Sequence, residues 1–168
     1  MKRILGLIAL FTCLSMTAHA GTCGSGVTCG SVVLQMTNAN ASTAGTILPL
    51  YTAPSGGNGA KIIAVLGSTT ITAGSSSSAY NIYITHGSVS TALNQGSLYP
   101  GGTGQALNML TQAFAATYAE PAWPVDENGN VFIFLAPGDT LAISNYVGIT
   151  SSGSTGGVST FTAFYQSY

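Results

Sequence analysis

The sequence predicts an all-β protein, an antiparallel β-sandwich with one short helix, and three observations support this. Short runs rich in β-branched and aromatic residues recur along the chain. Clusters of Gly, Pro, Asn and Ser separate these runs, and several runs alternate apolar with polar residues, as strands with one buried face do. Hydrophobic residues make up 46% of the sequence, so the chain can bury a packed core.

The strongest strand and turn signals lie in the stretch 131–144, which reads V-F-I-F-L-A-P-G-D-T-L-A-I-S. Residues 131–135 are all apolar, which predicts a strand at the centre of a sheet with both faces covered. Pro137 presets φ for the second position of a turn, and Gly138 can adopt the positive φ that a type II turn requires next. We therefore expect a hairpin that reverses at Pro137, Gly138 and Asp139.

A second turn signal, Asn128-Gly129, lies just upstream and is typical of a type I′ hairpin. The two turns together predict a three-stranded meander over residues 123–144. Further runs with strand character lie at 32–37, 47–52, 61–66, 69–72, 80–85 and 158–165. The run 80–85 alternates, so a core face and a solvent face are expected, with the solvent face formed by Asn81, Tyr83 and Thr85.

The one predicted helix begins near residue 107. Leu107, Leu110, Phe114 and Tyr118 recur at helical spacing in a segment rich in Ala, Gln and Met. Two prolines follow this segment and forbid its continuation. The pattern therefore predicts a short helix that packs one apolar face on the sandwich.

The chain is expected to have three parts. Residues 1–20 combine two basic residues, an apolar run and a small-residue end at Ala20, as secretory signal peptides do. Residues 21–45 are interpreted as an N-terminal arm that carries a Cys pair, and residues 46–168 as one β-sandwich domain. Cleavage after Ala20 predicts a secreted or cell-surface protein, and no later segment reaches the roughly 18 apolar residues of a membrane-spanning helix. Lipidation at Cys13 is the disfavoured alternative, because the residues before it lack small side chains.

Charge is scarce, and this narrows the range of partners. Only 4% of the residues are charged. After residue 20, Lys61 is the only basic residue against four acidic ones, which gives a formal net charge of −3. Such a chain cannot neutralise several phosphates at once, so nucleic acid is excluded as a partner. Membrane insertion is not expected either once the signal is removed.

Cys23 and Cys29 lie just after the expected cleavage point, in the motif C-G-S-G-V-T-C. Export brings them into an oxidising compartment, and two thiols at this spacing can form a disulfide within one chain. Cross-links between subunits and free thiols are the alternatives. No metal site and no cofactor are expected, because His86 is the only histidine after residue 20 and no second Cys pair completes four ligands.

Oxygen-bearing side chains stand at alternate positions at Asp126, Asn128 and Asn130, like the start of a calcium-binding loop. The pattern then fails, because Val131 stands where such a loop has Gly and Pro137 where it has a bidentate acid. A calcium site is therefore a weak hypothesis, and a plain hairpin turn is the favoured interpretation.

The sequence lacks the patterns of a hydrolytic enzyme. His86 precedes a glycine in a context typical of a solvated loop histidine, and no G-x-S-x-G motif poses a serine nucleophile. Asp126 and Glu127 are adjacent in a turn, whereas paired-carboxylate hydrolysis needs acids on opposite sides of a bond. We therefore do not expect an enzyme.

Tyr99, Tyr118, Trp123 and Tyr146 are candidates for stacking on glycans. Tyrosine and tryptophan offer an apolar face together with a polar tip, which suits sugar rings. The favoured alternative is that these residues form the core and the rim of the sandwich.

Four short motifs follow one another as L-Y-T-A-P at 50–54, A-K-I-I at 60–63, N-I-Y-I at 81–84 and L-A-P-G-D-T-L at 135–141. This order, over about residues 46–165, resembles small jelly-roll modules of phage virion proteins. The resemblance implies a jelly-roll-like β-sandwich in which a Gly-Asp turn feeds the penultimate strand. It also implies a structural role without catalytic residues. Adhesin heads and tumour-necrosis-factor-like trimers share such motifs, and the secretion signal, the Cys pair and the helix depart from the phage pattern.

Two functions are consistent with these features. The first is a non-enzymatic secreted subunit that assembles with copies of itself into a filament, a coat or a virion-type particle. Few charges repel other copies, sheet edges lack blocking lysines, and the run 32–37 beyond a polar spacer is long enough to cover a neighbour's edge. The alternative is an adhesin-like jelly-roll head, monomeric or trimeric, that binds glycans through exposed aromatic side chains.

Overall fold

The computed structural model of the chain describes residues 21–70, 78–98, 107–111, 124–146, 149 and 157–168. Within these ranges the chain forms strands β1 (Gly21–Gly24), β2 (Val27–Met36), β3 (Ile47–Thr52), β4 (Ala60–Thr69), β5 (Ser78–His86), β6 (Val89–Leu98), β7 (Leu107–Asn108), β8 (Ile133–Leu135), β9 (Thr140–Asn145) and β10 (Ser159–Ser167). One helix of a single turn, α1 (Asn38–Ala41), lies between β2 and β3.

The strands form two antiparallel sheets. The six-stranded sheet has the order β1-β2-β10-β4-β7, with β8 also paired to β4, and the four-stranded sheet has the order β3-β9-β5-β6. From β2 to β5 successive strands alternate between the sheets, and β8, β9 and β10 alternate again on the way back. The first and last long strands therefore become neighbours. This is a jelly roll, and it confirms the predicted all-β sandwich fold.

Strand β10 occupies the middle of the six-stranded sheet. Each of its nine residues has a partner in β2 and another in β4. Alternate residues point to opposite faces, so Phe161, Ala163 and Tyr165 are buried between the sheets while Phe164 faces outward. Strand β9 has the matching position in the other sheet, between β3 and β5.

Aromatic contacts join the two sheets. The Tyr80 ring of β5 meets the Phe161 ring of β10 edge-on, with centroids 4.9 Å apart. The Tyr80 hydroxyl also makes a 2.5 Å hydrogen bond with the Ser159 hydroxyl. At the other end of the sandwich the Tyr51 and Tyr165 rings stack at 4.3 Å. Fully buried aliphatic side chains fill the space between, among them Met36, Ile62, Val65, Ile82, Leu98, Met109, Leu135, Leu141 and Ile143.

The strand expected at 32–37 belongs to β2, which starts earlier and pairs within its own chain. β2 lies between β1 and β10 in the six-stranded sheet. β10 pairs with β2 along almost its whole length, whereas β1 pairs only with residues 27–29 on the other side. The run 32–37 is therefore part of the chain's own sheet, and no described strand pairs with its outer edge.

The start of the predicted helix is not helical. Leu107 and Asn108 form β7, and a turn follows at 109–111, so a helix starting at residue 107 is wrong. The Asn108 side-chain oxygen accepts from the Leu110 amide at 3.1 Å, which fixes this turn in place of a first helical turn. The remainder of the predicted helix, from residue 112, lies outside the described residues.

The observed helix α1 forms in the segment interpreted as a polar spacer. The Thr37 hydroxyl accepts from the Ala39 amide at 3.3 Å, and the Asn40 side chain accepts from the Thr37 amide at 2.8 Å, which is a capping box. The Asn145 amide group then donates to the Ala41 carbonyl at 2.8 Å and attaches this turn to β9. In the sequence, Thr37 indicates the start of this helix, but the polar composition of the segment favoured a loop instead.

The stretch 131–144 is not a hairpin within one sheet. β8 pairs with β4 in the six-stranded sheet, whereas β9 pairs in the four-stranded sheet, so the chain crosses between the sheets at 136–139. β8 is not a central strand covered on both faces either, because Phe134 is 51% exposed. An unbroken apolar run arises here because Ile133 and Leu135 face the core and Phe134 faces outward on an apolar outer surface.

The turn itself has the predicted form. The Asp139 amide donates to the Ala136 carbonyl at 3.0 Å, and Gly138 has a φ of 86°. Pro137 and Gly138 therefore occupy the two central positions of a type II turn. This local geometry is confirmed even though the strands it connects belong to different sheets.

Replacing Gly138 with valine should lower the free energy of unfolding by about 1–3 kcal/mol. A β-branched residue is strained at this positive φ, and no atom lies within 4 Å of an added Cβ, so the cost comes from the backbone alone. Gly56→Val is the matched control, because Gly56 has equally open surroundings and a φ outside the left-handed region. Urea unfolding measures both variants. Equal stability of the two would contradict the turn geometry.

Candidate functional site

A cleft of about 360 Å³ opens on the outer face of the four-stranded sheet. We call it the tyrosine cleft, and it is lined by Asn81, Tyr83, Asn94, Gln95, Tyr146 and two aliphatic residues of β6. The expected alternation of β5 is confirmed on its core face by the burial of Tyr80 and Ile82. Asn81 and Tyr83 of the same strand therefore point away from the core, into the cleft.

The register between β5 and β6 shapes this cleft. Asn81 lies opposite Gln95, and Tyr83 lies opposite Ala92. A bulge falls between these pairs and leaves Leu93 without a partner in the ladder. Bulges bend a strand and re-aim its side chains, which opens space beside the sheet here.

Tyr146 is the only one of the four candidate stacking residues that lies in the described part of the chain. It follows β9 directly, and its amide donates to the Ala79 carbonyl at 2.9 Å. Its side chain is 60% exposed. Tyr99, Tyr118 and Trp123 lie outside the described residues.

The outer face of the six-stranded sheet carries a second feature, an apolar face formed by Val33, Ile63, Phe134 and Phe164. All four side chains are exposed, and they come from β2, β4, β8 and β10. A shallow depression of about 330 Å³ runs past Ile63 and Phe164 to the Cys23–Cys29 disulfide. Sequence reasoning missed this face because single strands gave no indication that their outward residues would lie side by side.

The only cation on the apolar face is neutralised in place. The Lys61 ammonium lies 3.2 Å from an Asp126 carboxylate oxygen and 4.5 Å from the centre of the Phe132 ring. Within the described residues the apolar face therefore presents no uncompensated charge.

Cys23 and Cys29 form the disulfide expected within one chain. It crosses the β1–β2 hairpin, and the two Cα atoms are 5.7 Å apart. Gly26 adopts a φ of 79° at the tip of this hairpin. The disulfide thus ties a four-residue edge strand to β2.

Asp126 organises the turn that leads into β8. One of its carboxylate oxygens accepts from the amides of Asn128 and Asn130, at 3.0 and 2.9 Å. The Asn130 amide, aided by Lys61, lowers the pKa of this carboxyl to about 2. Gly129 has a φ of 78°, and the Asp126 amide pairs with the Asn130 carbonyl, so a three-residue loop replaces the expected type I′ turn.

Of the three residues of the weak calcium hypothesis, Asn128 and Asn130 donate hydrogen bonds to the third, Asp126. Asp126 receives hydrogen bonds from two backbone amides, the Lys61 ammonium and, at 3.4 Å, the Asn130 side-chain amide. A calcium ion needs six to eight oxygen ligands and would have to displace these donors. The geometry is that of the plain turn favoured by the sequence.

His86 has an acidic partner that the sequence did not indicate. Its Nδ1 lies 2.5 Å from a carboxylate oxygen of Asp139, whose other oxygen accepts from the Ala136 amide at 3.2 Å. Asp139 is buried, whereas the His86 side chain is 78% exposed. In the described part of the chain no Ser, Thr or Cys side chain bonds to His86, so the pair joins the β5–β6 hairpin to the turn before β9.

The described residues contain neither a metal-binding cluster nor a membrane-spanning helix. No group of three or more His, Cys, Asp or Glu side chains there could hold a metal ion. Nor does that part of the chain contain a helix long and apolar enough to cross a membrane. No protein-family model matches the sequence, and no curated protein matches it.

Exchanging both cysteines for serine should lower the free energy of unfolding by about 2 kcal/mol, because the disulfide closes a short loop in the unfolded chain. Urea unfolding of the Cys23→Ser/Cys29→Ser variant tests this. Non-reducing mass spectrometry of the wild type should show a monomer lighter by two hydrogens. Covalent dimers as the main species would contradict the pairing within one chain.

The stability of the protein should fall as the pH drops from about 4 towards 2, and Asp126→Asn should reduce this fall. The folded-state pKa of Asp126 is about 2, below its ordinary value of 3.8, so the ionised carboxylate stabilises the fold above that range. Protonation at lower pH removes this contribution. Urea unfolding at several pH values measures it, with Glu127→Gln, an exposed neighbour, as control. An unchanged pH profile in Asp126→Asn would rule out the proposed hydrogen bonding.

Proposed function

We propose that the protein is a non-enzymatic, exported structural subunit that assembles with copies of itself into a filament, a coat or a virion-type particle. The observation that carries this proposal is the apolar face of Val33, Ile63, Phe134 and Phe164. Four exposed apolar side chains on adjacent strands are unusual on a protein surface that is not covered by a partner.

The charge on this face favours a second copy as the occupant. Asp126 forms an ion pair with Lys61 and neutralises its charge. Two copies can therefore approach face to face without like-charge repulsion. A partner with a strongly charged surface would find no complementary charge there. The same surface on a second copy is equally neutral and apolar, and it is therefore self-complementary in chemistry.

The outer surface of the long strands sets an upper limit on the size of this contact. β10 pairs over nine residues on both sides. At about 3.3 Å per residue and about 4.8 Å per strand, the surface of β2, β10 and β4 measures roughly 30 Å by 15 Å. This is about 450 Å² before the relief of the side chains is counted, and polar residues such as Thr162 share it with the apolar face. The contact is thus smaller than the roughly 800 Å² per partner of a standard interface.

The sheet edges also support association. The edge strand β3 contains Pro49, which blocks pairing, and β1 is only four residues long. β6, in contrast, has ten residues without Pro or charge, and no described strand pairs with its outer edge. An unprotected edge of this length is typical of strands that pair with another chain.

The disulfide and the topology agree with this role. A disulfide in a chain of this size fits an oxidising compartment outside the cytoplasm. Jelly rolls build viral capsids and also lectins. The resemblance of four motifs to phage virion modules favours a structural role over sugar binding as the main function. We propose that the protein is a subunit of a coat or a virion-type particle.

The exported chain should form oligomers whose mass changes little between about 0.05 and 0.5 M salt, because salt screens charges and not apolar contacts. Multi-angle light scattering on a concentration series measures this. A stable monomer at high concentration, or an assembly that dissolves as salt rises, would contradict the proposed function.

The variant Val33→Lys/Phe164→Lys should shift this equilibrium to monomer, because each copy would bring two uncompensated charges to the contact. Its residual association should strengthen with salt, in contrast to the wild type. Ile47→Lys is the matched control, since Ile47 is exposed on β3, in the other sheet. Wild-type oligomers in the double variant would show that the apolar face is not the contact.

A further inference from the structure

We propose that the tyrosine cleft is a binding site for a neutral saccharide. The residues that line the cleft include two tyrosines, two asparagines and a glutamine, and none of the lining residues is charged. A pyranose ring has apolar C–H patches that pack on aromatic faces and hydroxyls that pair with amide groups. Its volume of about 360 Å³ lies at the lower end of the range for small-molecule sites, which suits the terminal sugar of a glycan.

The stacking residues are held in place before any ligand arrives. Tyr83 lies within a strand that is paired on both sides, to β6 and to β9. The Tyr146 amide is fixed on the Ala79 carbonyl at 2.9 Å, while its ring stays 60% exposed. Binding therefore requires little ordering of the backbone, and preorganisation of this kind improves the affinity of weak contacts.

Of the three side-chain amides at the cleft, one is hydrogen-bonded to the protein and two are free to bind a ligand. Asn94 donates to the Met109 carbonyl at 3.3 Å, and its side-chain oxygen accepts from the Gln95 amide at 3.0 Å. The hydrogen bond from the Gln95 amide to Asn94 fixes the backbone at Gln95. Within the described part of the chain, the side-chain amides of Asn81 and Gln95 have no hydrogen-bond partner, and the two residues lie opposite each other. Each amide can both donate and accept, so the pair can bind neighbouring hydroxyls of one ring.

Because the lining of the cleft is uncharged, it favours a neutral sugar over other ligands that stack on tyrosine. Single-stranded nucleic acid needs a basic groove beside its stacking platform, and the one lysine described lies on the other sheet. An acidic sugar would likewise lack a counter-charge in the cleft. The ligand class that remains is a neutral hexose or an N-acetylhexosamine.

This site does not depend on association through the apolar face, because the cleft and the apolar face lie on the outer faces of different sheets. Saturation-transfer NMR on the full exported chain tests it with methyl glycosides of galactose, glucose, mannose and N-acetylglucosamine. At least one should receive saturation and bind with a dissociation constant in the millimolar range or tighter, unaffected by salt. No transfer to any of the four would overturn the proposal.

Two cleft variants and one control test whether the sugar binds in the tyrosine cleft. Tyr146→Ala should weaken it at least tenfold, and Gln95→Leu should weaken it at least fivefold with the tyrosines intact. Tyr168→Ala is the matched control, because Tyr168 is an exposed tyrosine next to β10 in the other sheet, and it should bind like the wild type. Thermal unfolding of each variant confirms that it is folded. Unchanged binding in both cleft variants, or equal loss in the control, would overturn the assignment.

Discussion

The fold depends on the pairing of β10 with two strands that are far from it in sequence. All nine residues of β10 pair with β2 on one side and β4 on the other. Without β10 the six-stranded sheet would separate into two pieces, and the Tyr80 ring and hydroxyl would lose Phe161 and Ser159. The loop-closure entropy of such pairings must be lost before their contacts form, so we expect this chain to fold slowly for its size.

Local chemistry in the sequence was sufficient to predict single elements but not their partners. The type II turn at Pro137 and Gly138 follows from two residues and formed as expected. The sheet that each flanking strand joins does not follow from them, because an apolar run has the same pattern in a central strand and in an outer strand with one apolar outer face. The helical spacing of Leu107 and Leu110 was similarly ambiguous over a short segment, and a strand end followed by a turn also buries Leu110.

The candidate sites likewise differ in whether their partners are close in sequence or meet only in the fold. The oxygen pattern at Asp126 was visible in the sequence because its partners lie within four residues. The pairing of His86 with Asp139 spans 53 positions and became visible only with the fold. The tyrosine cleft combines residues of β5, β6 and the end of β9. Strand alternation correctly placed Tyr83 outward, but the order of strands in the sheet decides that it lines the same cleft as Tyr146.

A sandwich presents its two outer faces in opposite directions, and here these faces carry different chemistry. Copies that associate through the apolar face leave the opposite sheet, with its cleft, turned outward. In a face-to-face pair the two clefts therefore point away from each other. Such a pair can link two separate glycan-covered surfaces, one at each end. Its two clefts cannot bind the same flat surface together, and avidity is lost where the geometry forbids simultaneous binding.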